Sequence, residues 1–253
     1  MREPWRSSDS PAAADLEPRT WHPGLRAPRP DQGPLPSLWL IDRRQPPVRA
    51  ALPDLLDLLP PQERARHEAF RQHDDRERFL LGRAVLRQML GSWLERDPRR
   101  LVLNAGLHGK PELSVEHGPA GPAFNVAHSG DLVVLAFHAA SPVGVDVEQS
   151  RPQLAWRPIA RRVLPPATVE WLEQLPALQR REAFLQQWCL LEASLKARGT
   201  GFASVGAQAG ARAPGEQGLE RLEPLVEQLV EQRLWCLALP PGYCGAVSLL
   251  GWP

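Results

Sequence analysis

The sequence predicts an α+β fold made of two halves of similar element order. Three observations predict it. Short apolar runs of strand length alternate with longer segments of helical periodicity. The order strand, helices, strands occurs twice. A break with little periodicity, Ala139 to Pro142, separates the two passages and divides the chain into residues 36–140 and 141–253.

Residues 1–35 stand apart as a proline-rich extension. Eight of the 28 prolines fall in the first 36 residues and periodicity is weak, so a mobile or loosely draped segment is expected, with Trp5 and Trp21 as the side chains able to pack onto the body. Order begins with the strand Leu38 to Ile41. Helices follow over Gln62 to Phe70 and Arg76 to Leu94, the second stopped by Asp97-Pro98. Strands are expected near Leu101 to Asn104 and over Leu132 to Phe137. In His108-Gly109-Lys110-Pro111, glycine and proline bracket the lysine and pin a turn before an extended segment. The polar stretch Phe124 to Asp131 reads as the loop feeding the strand at 132, with Asn125 and Ser129 as turn formers.

The second half starts with a strand over 143–148. Helices near 153–163, 167–174 and 180–198 come next, the last closed by Gly199, followed by a Gly/Ala-rich loop over 203–218. A hairpin ends the chain, Leu234 to Leu239 and Cys244 to Leu250, joined by Pro240-Pro241-Gly242.

Two acidic clusters carry the chemistry. In Gly144-Val145-Asp146-Val147-Glu148, alternation in a strand puts Asp146 and Glu148 on one face. Two like charges there repel unless a cation lies between them, and oxygen-only ligands suit Mg²⁺ with phosphate oxygens completing its shell. In the helix at 180–198, Phe184, Trp188, Leu191 and Leu195 form an apolar stripe with Glu192 and Lys196 on its shoulder. Taken separately, Glu192 and Lys196 also fit a surface i,i+4 pair, and Asp146 and Glu148 a solvated strand face. Taken together, three carboxylates and a lysine point to a divalent metal holding a phosphate.

The choice of basic residue adds to this. Of 30 basic residues only Lys110 and Lys196 are lysines, which points to a need for a compact ammonium at these two places. Arg76, Arg83 and Arg87 share one face of the first long helix and could meet phosphate or an acidic partner helix. His128 alone reads as a hydrogen-bonded structural histidine.

Composition bounds the rest. A net charge of +1 on 253 residues excludes a broad nucleic-acid footprint. Cys189, Cys236 and Cys244 lack C-x-x-C spacing, so neither a zinc site nor a disulfide framework is indicated. There is no signal-peptide h-region and no run of transmembrane length, so a soluble cytoplasmic protein is expected; a monomer is expected separately.

In order, Arg78 to Arg87, Gly109-Lys110-Pro111, Phe124-Asn125-Val126-Ala127-His128-Ser129, Gly144 to Glu148 and Trp188 to Gly199 resemble the motifs of the Sfp-type 4′-phosphopantetheinyl transferases. The resemblance implies two α/β halves related by a pseudo-twofold axis, each a small, mainly antiparallel sheet packed on a long helix, with coenzyme A and Mg²⁺ between them. It further implies transfer of the 4′-phosphopantetheine arm to a serine of an acyl, peptidyl or polyketide carrier protein, releasing 3′,5′-ADP. By motif position, Asp146, Glu148 and Glu192 would hold the metal, Glu192 would act as base and Lys196 would assist catalysis. Lys196 and His128 would contact coenzyme A phosphates. Lys110, Arg83 and Arg87 would line the coenzyme site, and Arg66 falls near a family basic residue that meets the 3′-phosphate.

Two positions depart from the motifs. Leu191 stands where lysine is usual before the helix glutamate, and Ala127 where serine is usual before the histidine. Neither removes a metal ligand. The competing expectations are another Mg²⁺-dependent phosphoryl or nucleotidyl transferase, which needs no Gly109-Lys110-Pro111 or His128 element, and a coenzyme A-binding protein without turnover.

Overall fold

The structure is a computed structural model that describes residues 15–106, 110–114, 121–200 and 232–251. Trp5, His108, Gly109 and the Gly/Ala-rich stretch 203–218 lie outside the described residues. In chain order the elements are β1 (Arg19–Thr20), β2 (Ser37–Asp42), α1 (Pro46–Ala50), α2 (Leu52–Leu56), α3 (Pro61–Ala69), α4 (His73–Leu94), β3 (Leu103–Ala105), β4 (Pro111–Leu113), β5 (Ala123–Ser129), β6 (Leu132–His138), β7 (Val143–Gln149), α5 (Trp156–Val163), α6 (Pro166–Gln174), α7 (Ala177–Arg198), β8 (Gln232–Cys236) and β9 (Tyr243–Leu250).

One sheet runs β1-β2-β6-β5, a second β7-β9-β8, and β3-β4 form a separate ribbon. All pairings within these sheets are antiparallel except β1 with β2. Each sheet has helices on one face and the other sheet on the opposite face. The strand period of two therefore sends alternate residues into different cores. In β2 and β6, Trp39, Ile41, Val133, Leu135 and Phe137 pack with Leu81, Val85 and Leu90 of α4. Their neighbours Leu38, Val134 and Ala136 enter a central core with Val143, Val145, Val147 and Val247. All of β6 is buried, which explains why it reads as an unbroken apolar run. A third core joins Trp156, Leu172, Phe184, Leu185 and Cys189 of α5–α7 to Cys244 and Ala246 of β9.

Asn125 and Ser129 are not in a loop. Both lie in β5, whose register with β6 continues to Ser129 opposite Leu132, and the turn is only Gly130-Asp131, with Gly130 at φ 57°. The polar residues hid the strand because they serve the free edge of β7: Asn125 Oδ1 accepts from the Val145 N–H at 2.8 Å, and Ser129 Oγ accepts from the Gln149 N–H at 3.1 Å. Side chains of one sheet thus stand in for a strand partner of the other.

The lead segment also departs from expectation, because residues 15–35 are fixed to the body. Trp21 is 2% exposed within the first core. Leu16 pairs with Leu237 beside β8, its N–H donating to Cys236 O at 2.9 Å and its carbonyl accepting from Ala238 N–H at 2.9 Å. Further on, Ala27 O accepts from Trp93 Nε1 and Gly33 O contacts His138 Nε2, both at 2.9 Å. Proline suits such a strap, which runs extended and has few backbone donors to satisfy. Since Leu16 meets the outer edge of the second sheet and β1 that of the first, while β5 faces β7, the strands close into a ring around the central core.

Helices α1 and α2 lack a readable period because each is only five residues long. Among the described residues, no helix is long and apolar enough to cross a membrane.

Trp21→Ala should therefore destabilise the fold by about 3–5 kcal/mol, as for other buried Trp truncations. Urea denaturation is the measurement, and a loss below about 1 kcal/mol would mean that the strap is dispensable to the core.

Candidate metal and phosphate site

The site depends on how closely β7 lies against α7. A Cβ on Gly144 would overlap the Ala193 carbonyl oxygen and the Ala197 backbone nitrogen, so only glycine allows this approach. With the valines of β7 turned into the central core, Gly144, Asp146 and Glu148 occupy the opposite face, toward α7.

Asp146 Oδ1 accepts from Lys196 Nζ at 2.6 Å, with the two side chains 7% and 31% exposed. Burial works against the ammonium, but the adjacent Asp146 carboxylate outweighs it and holds the Lys196 pKa above its ordinary value. Asp146 Oδ2 is buried with no hydrogen-bond donor in reach, and the carboxylate acts on the neighbouring Cys189 thiol, adding to burial in raising its pKa. Glu148 Oε2 accepts from Ser129 Oγ at 2.8 Å. Burial raises the Glu148 carboxyl pKa against the Ser129 hydrogen bond, and the Asp146 charge adds to the rise. Glu192 is raised by burial, with Lys196 opposing and the Asp146 and Glu148 charges adding.

These features fit a divalent cation. The donors are all carboxylate oxygens, they repel one another across a half-buried space, and one buried oxygen lacks a hydrogen-bond donor. Their ligand atoms are not drawn together as tightly as those of His73, Asp74 and Glu77, which lie within 4.8 Å of one another. That surface group is already engaged, since Arg43 Nη1 lies 2.9 Å from Asp74 and 2.6 Å from Glu77.

On the side of the first half, Arg78 Nη1 donates to Gly130 O at 2.8 Å and the Asp131 N–H donates to the Tyr243 hydroxyl at 2.9 Å. The turn that follows Ser129 is thus held by α4 and by β9. Sequence reasoning quoted Arg78 only as the first residue of a motif and passed over Tyr243, for which the one signal was that it is the single tyrosine of the chain, directly after a Pro-Pro-Gly turn. His128 precedes Ser129 and keeps solvent access. Partial desolvation of the ring, and then the Arg78 charge, lower its pKa, so the neutral imidazole is favoured.

The basic residues expected at a coenzyme site separate into three situations. Arg66 and Arg83 place their guanidinium carbons 5.6 and 5.8 Å from the Phe79 ring, and Arg83 Nη1 lies 3.6 Å from Glu63 Oε1, an ion pair without a hydrogen bond. These two form a basic, aromatic patch. Arg87 is not part of it: at 2% exposure it donates to Glu63 Oε2 at 2.7 Å and to the carbonyls of Pro98 and Leu101 at 2.9 and 2.8 Å. Its helical spacing with Arg83 is correct, but its fork ties α4 to α3 and to the chain beyond α4. Lys110 is also turned inward, donating to Val143 O at 3.0 Å and Lys196 O at 2.8 Å. Arg76 donates to Phe70 O at 2.8 Å.

The two motif departures have packing explanations. Ala127 is buried in the central core, and Leu191 packs on the core beneath α7. All three cysteines are free thiols, and burial pushes Cys189 well above and Cys244 up to about 12.

The fold and site define an α+β protein in which one buried and two half-buried carboxylates lie with a lysine between β7 and α7. Comparison with known proteins places it more closely. Residues 45–140 match the family model for the 4′-phosphopantetheinyl transferase N-terminal region, and residues 142–215 match that of the 4′-phosphopantetheinyl transferase superfamily. The chain is 34% identical over 168 residues to the 4′-phosphopantetheinyl transferase HetI of Nostoc sp., covering 66% of this chain and 70% of HetI. It is 36% identical over 169 residues to slr0495 of Synechocystis sp., provisionally given the same name, covering 67% of each. With the transferase Sfp of Bacillus subtilis it shares 25% over 150 residues, 58% of this chain and 63% of Sfp. The chain belongs to the 4′-phosphopantetheinyl transferase superfamily.

Because the native Glu192 carboxyl titrates above its ordinary value of 4.5, the native state holds more protons than the unfolded chain between the two values, and stability falls as pH rises through that interval. In metal-free protein, Glu192→Gln should therefore be as stable as wild type at low pH and more stable at neutral pH. Thermal denaturation across pH in a chelator measures this; a variant less stable at neutral pH would show that Glu192 has a stabilising partner.

Proposed function

We propose that this protein transfers the 4′-phosphopantetheine arm of coenzyme A to a serine hydroxyl of an acyl, peptidyl or polyketide carrier protein, using Mg²⁺ held by Asp146, Glu148 and Glu192. The observation that supports it most is the buried Asp146 Oδ2, without a hydrogen-bond donor, beside two carboxyls whose pKa values are raised. Mg²⁺, when bound, neutralises charge on pyrophosphate oxygens.

The chain's own residues do the rest. Lys196 brings an ammonium to the same place, where it supports charge that grows on the leaving phosphate as the phosphopantetheinyl bond breaks. Glu192, with its raised pKa, is suited to accept the serine proton, directly or through a water. The Arg66 and Arg83 guanidinium groups beside Phe79 would offer a binding place for a further phosphate of coenzyme A. His128, on the rim, would donate to the pyrophosphate. The free thiols agree with a cytoplasmic setting.

Mass measurement of an apo-carrier incubated with coenzyme A, Mg²⁺ and the protein tests this. Addition of one phosphopantetheine, lost in chelator, is expected; an unmodified carrier with coenzyme A hydrolysed, or with nothing consumed, would point to a phosphoesterase or to a binding protein. Asp146→Ala should abolish modification while leaving the protein folded, and near wild-type turnover at saturating Mg²⁺ would remove the carboxylate site. Lys196→Ala should lower kcat/KM by roughly tenfold to a hundredfold, the range for a charge-assisted phosphate contact.

A further inference from the structure

Along β7, residues 143, 145 and 149 direct backbone groups to the free edge that faces the first half. Each is satisfied by a side chain from that half: Val145 N–H by Asn125, Gln149 N–H by Ser129, and Val143 O by Lys110. Lys110 differs from the other two in reaching a second element, since its ammonium also donates at 2.8 Å to Lys196 O. This carbonyl lies in the last turn of α7, where the helix dipole favours a cation.

The two acceptors lie 33 and 86 residues from Lys110 in sequence. One begins the strand that carries Asp146, and the other belongs to the residue whose ammonium binds Asp146. Between them is Gly144, where strand and helix are in backbone contact. Shortening or removing the Lys110 side chain leaves Val143 O and Lys196 O without this shared donor and loosens the start of β7 against the last turn of α7. Loosening there lets Asp146 move relative to Lys196 and Glu192 without touching coenzyme A.

We propose that Lys110 is a positioning residue of the metal site: its ammonium clamps the start of β7 to the last turn of α7 and sets where Asp146 sits relative to Glu192 and Lys196. The proposal rests on the reading of those acids as a metal site. It differs from that reading's first expectation for Lys110, which was a contact to coenzyme A.

The test uses the full chain carrying Lys110→Met, which keeps the apolar stem and removes the donors, with Lys110→Arg as the variant that retains charge. Mn²⁺ binding followed by electron paramagnetic resonance without coenzyme A gives a readout independent of turnover. Lys110→Met is expected to bind Mn²⁺ about tenfold more weakly, the scale seen when an outer partner of a metal ligand is lost. Amide exchange should rise in β7 and the last turn of α7, and kcat should fall. KM for coenzyme A and the preference for coenzyme A over 3′-dephospho-coenzyme A should stay within about twofold of wild type, and Lys110→Arg should recover part of the metal affinity. Wild-type Mn²⁺ binding with a raised KM and loss of that preference would overturn the proposal and place Lys110 on the 3′-phosphate; so would no change in any readout. Should Lys110→Met fail to fold, Lys110→Gln is judged by the same criteria. If the wild-type protein modified no carrier, the proposed function would fall, while Mn²⁺ binding and amide exchange would still decide the clamp.

Discussion

The contact between β7 and α7 at Gly144 is the constraint on which the site depends. A strand usually stands off a helix by the length of the side chains between them. Here the absence of a Cβ removes that spacer and brings the Ala193 and Ala197 backbone directly onto the strand. Asp146 is two residues along the same face, and Lys196 is adjacent to Ala197, so the approach that excludes a methyl group also forces the carboxylate and the ammonium together at 2.6 Å. Glu192, one turn earlier on α7, follows from helical geometry. A buried pair of this kind is weak evidence for stability, because desolvation offsets much of the attraction. Keeping it beside two further carboxyls makes sense when an additional cation is to be bound.

Ring closure supplies the rigidity that such an arrangement needs. An open sheet could flex at its edges, but each edge strand here has a partner: β5 meets β7 through Asn125 and Ser129, and the strap from Leu16 to Thr20 joins β8 to β2. Ser129 contributes to both fold and site, since the hydroxyl that accepts from the Gln149 N–H also donates to Glu148. A residue that holds the seam thereby orients a proposed ligand. Arg78 and Tyr243, from opposite halves, fix the turn that follows it.

Much of this was legible in the sequence, and the parts that were not share a cause. The long helices, β6, β7 and the C-terminal hairpin were legible because their apolar residues meet extensive cores. The acids and Lys196 were legible because strand and helix spacings fix which residues share a face. β5 was misread because Asn125 and Ser129 have turn-forming chemistry, and only the tertiary fold shows that their side chains serve another strand's backbone. The strap was misread because proline signals a lack of regular structure, not a lack of fixed position; Trp21 was the side chain that pointed the other way. For Arg87, helical spacing gave the correct face, but Glu63 and two carbonyls on neighbouring segments claim its guanidinium. A periodic pattern cannot register acceptors supplied by other parts of the chain.

The lysine bias of this arginine-rich chain has a physical reading in the same contacts. Arg87 shows what arginine does well here: a planar fork spanning three acceptors in different directions. Lys196 has a different task, a point charge against a single oxygen in a niche where strand and helix backbones are in contact. Lys110 must enter that niche from the first half and bond two carbonyls with one small group. The only two lysines of the chain meet there, the ammonium of one on the backbone carbonyl of the other, so both places where this chain uses lysine belong to one junction of strand and helix.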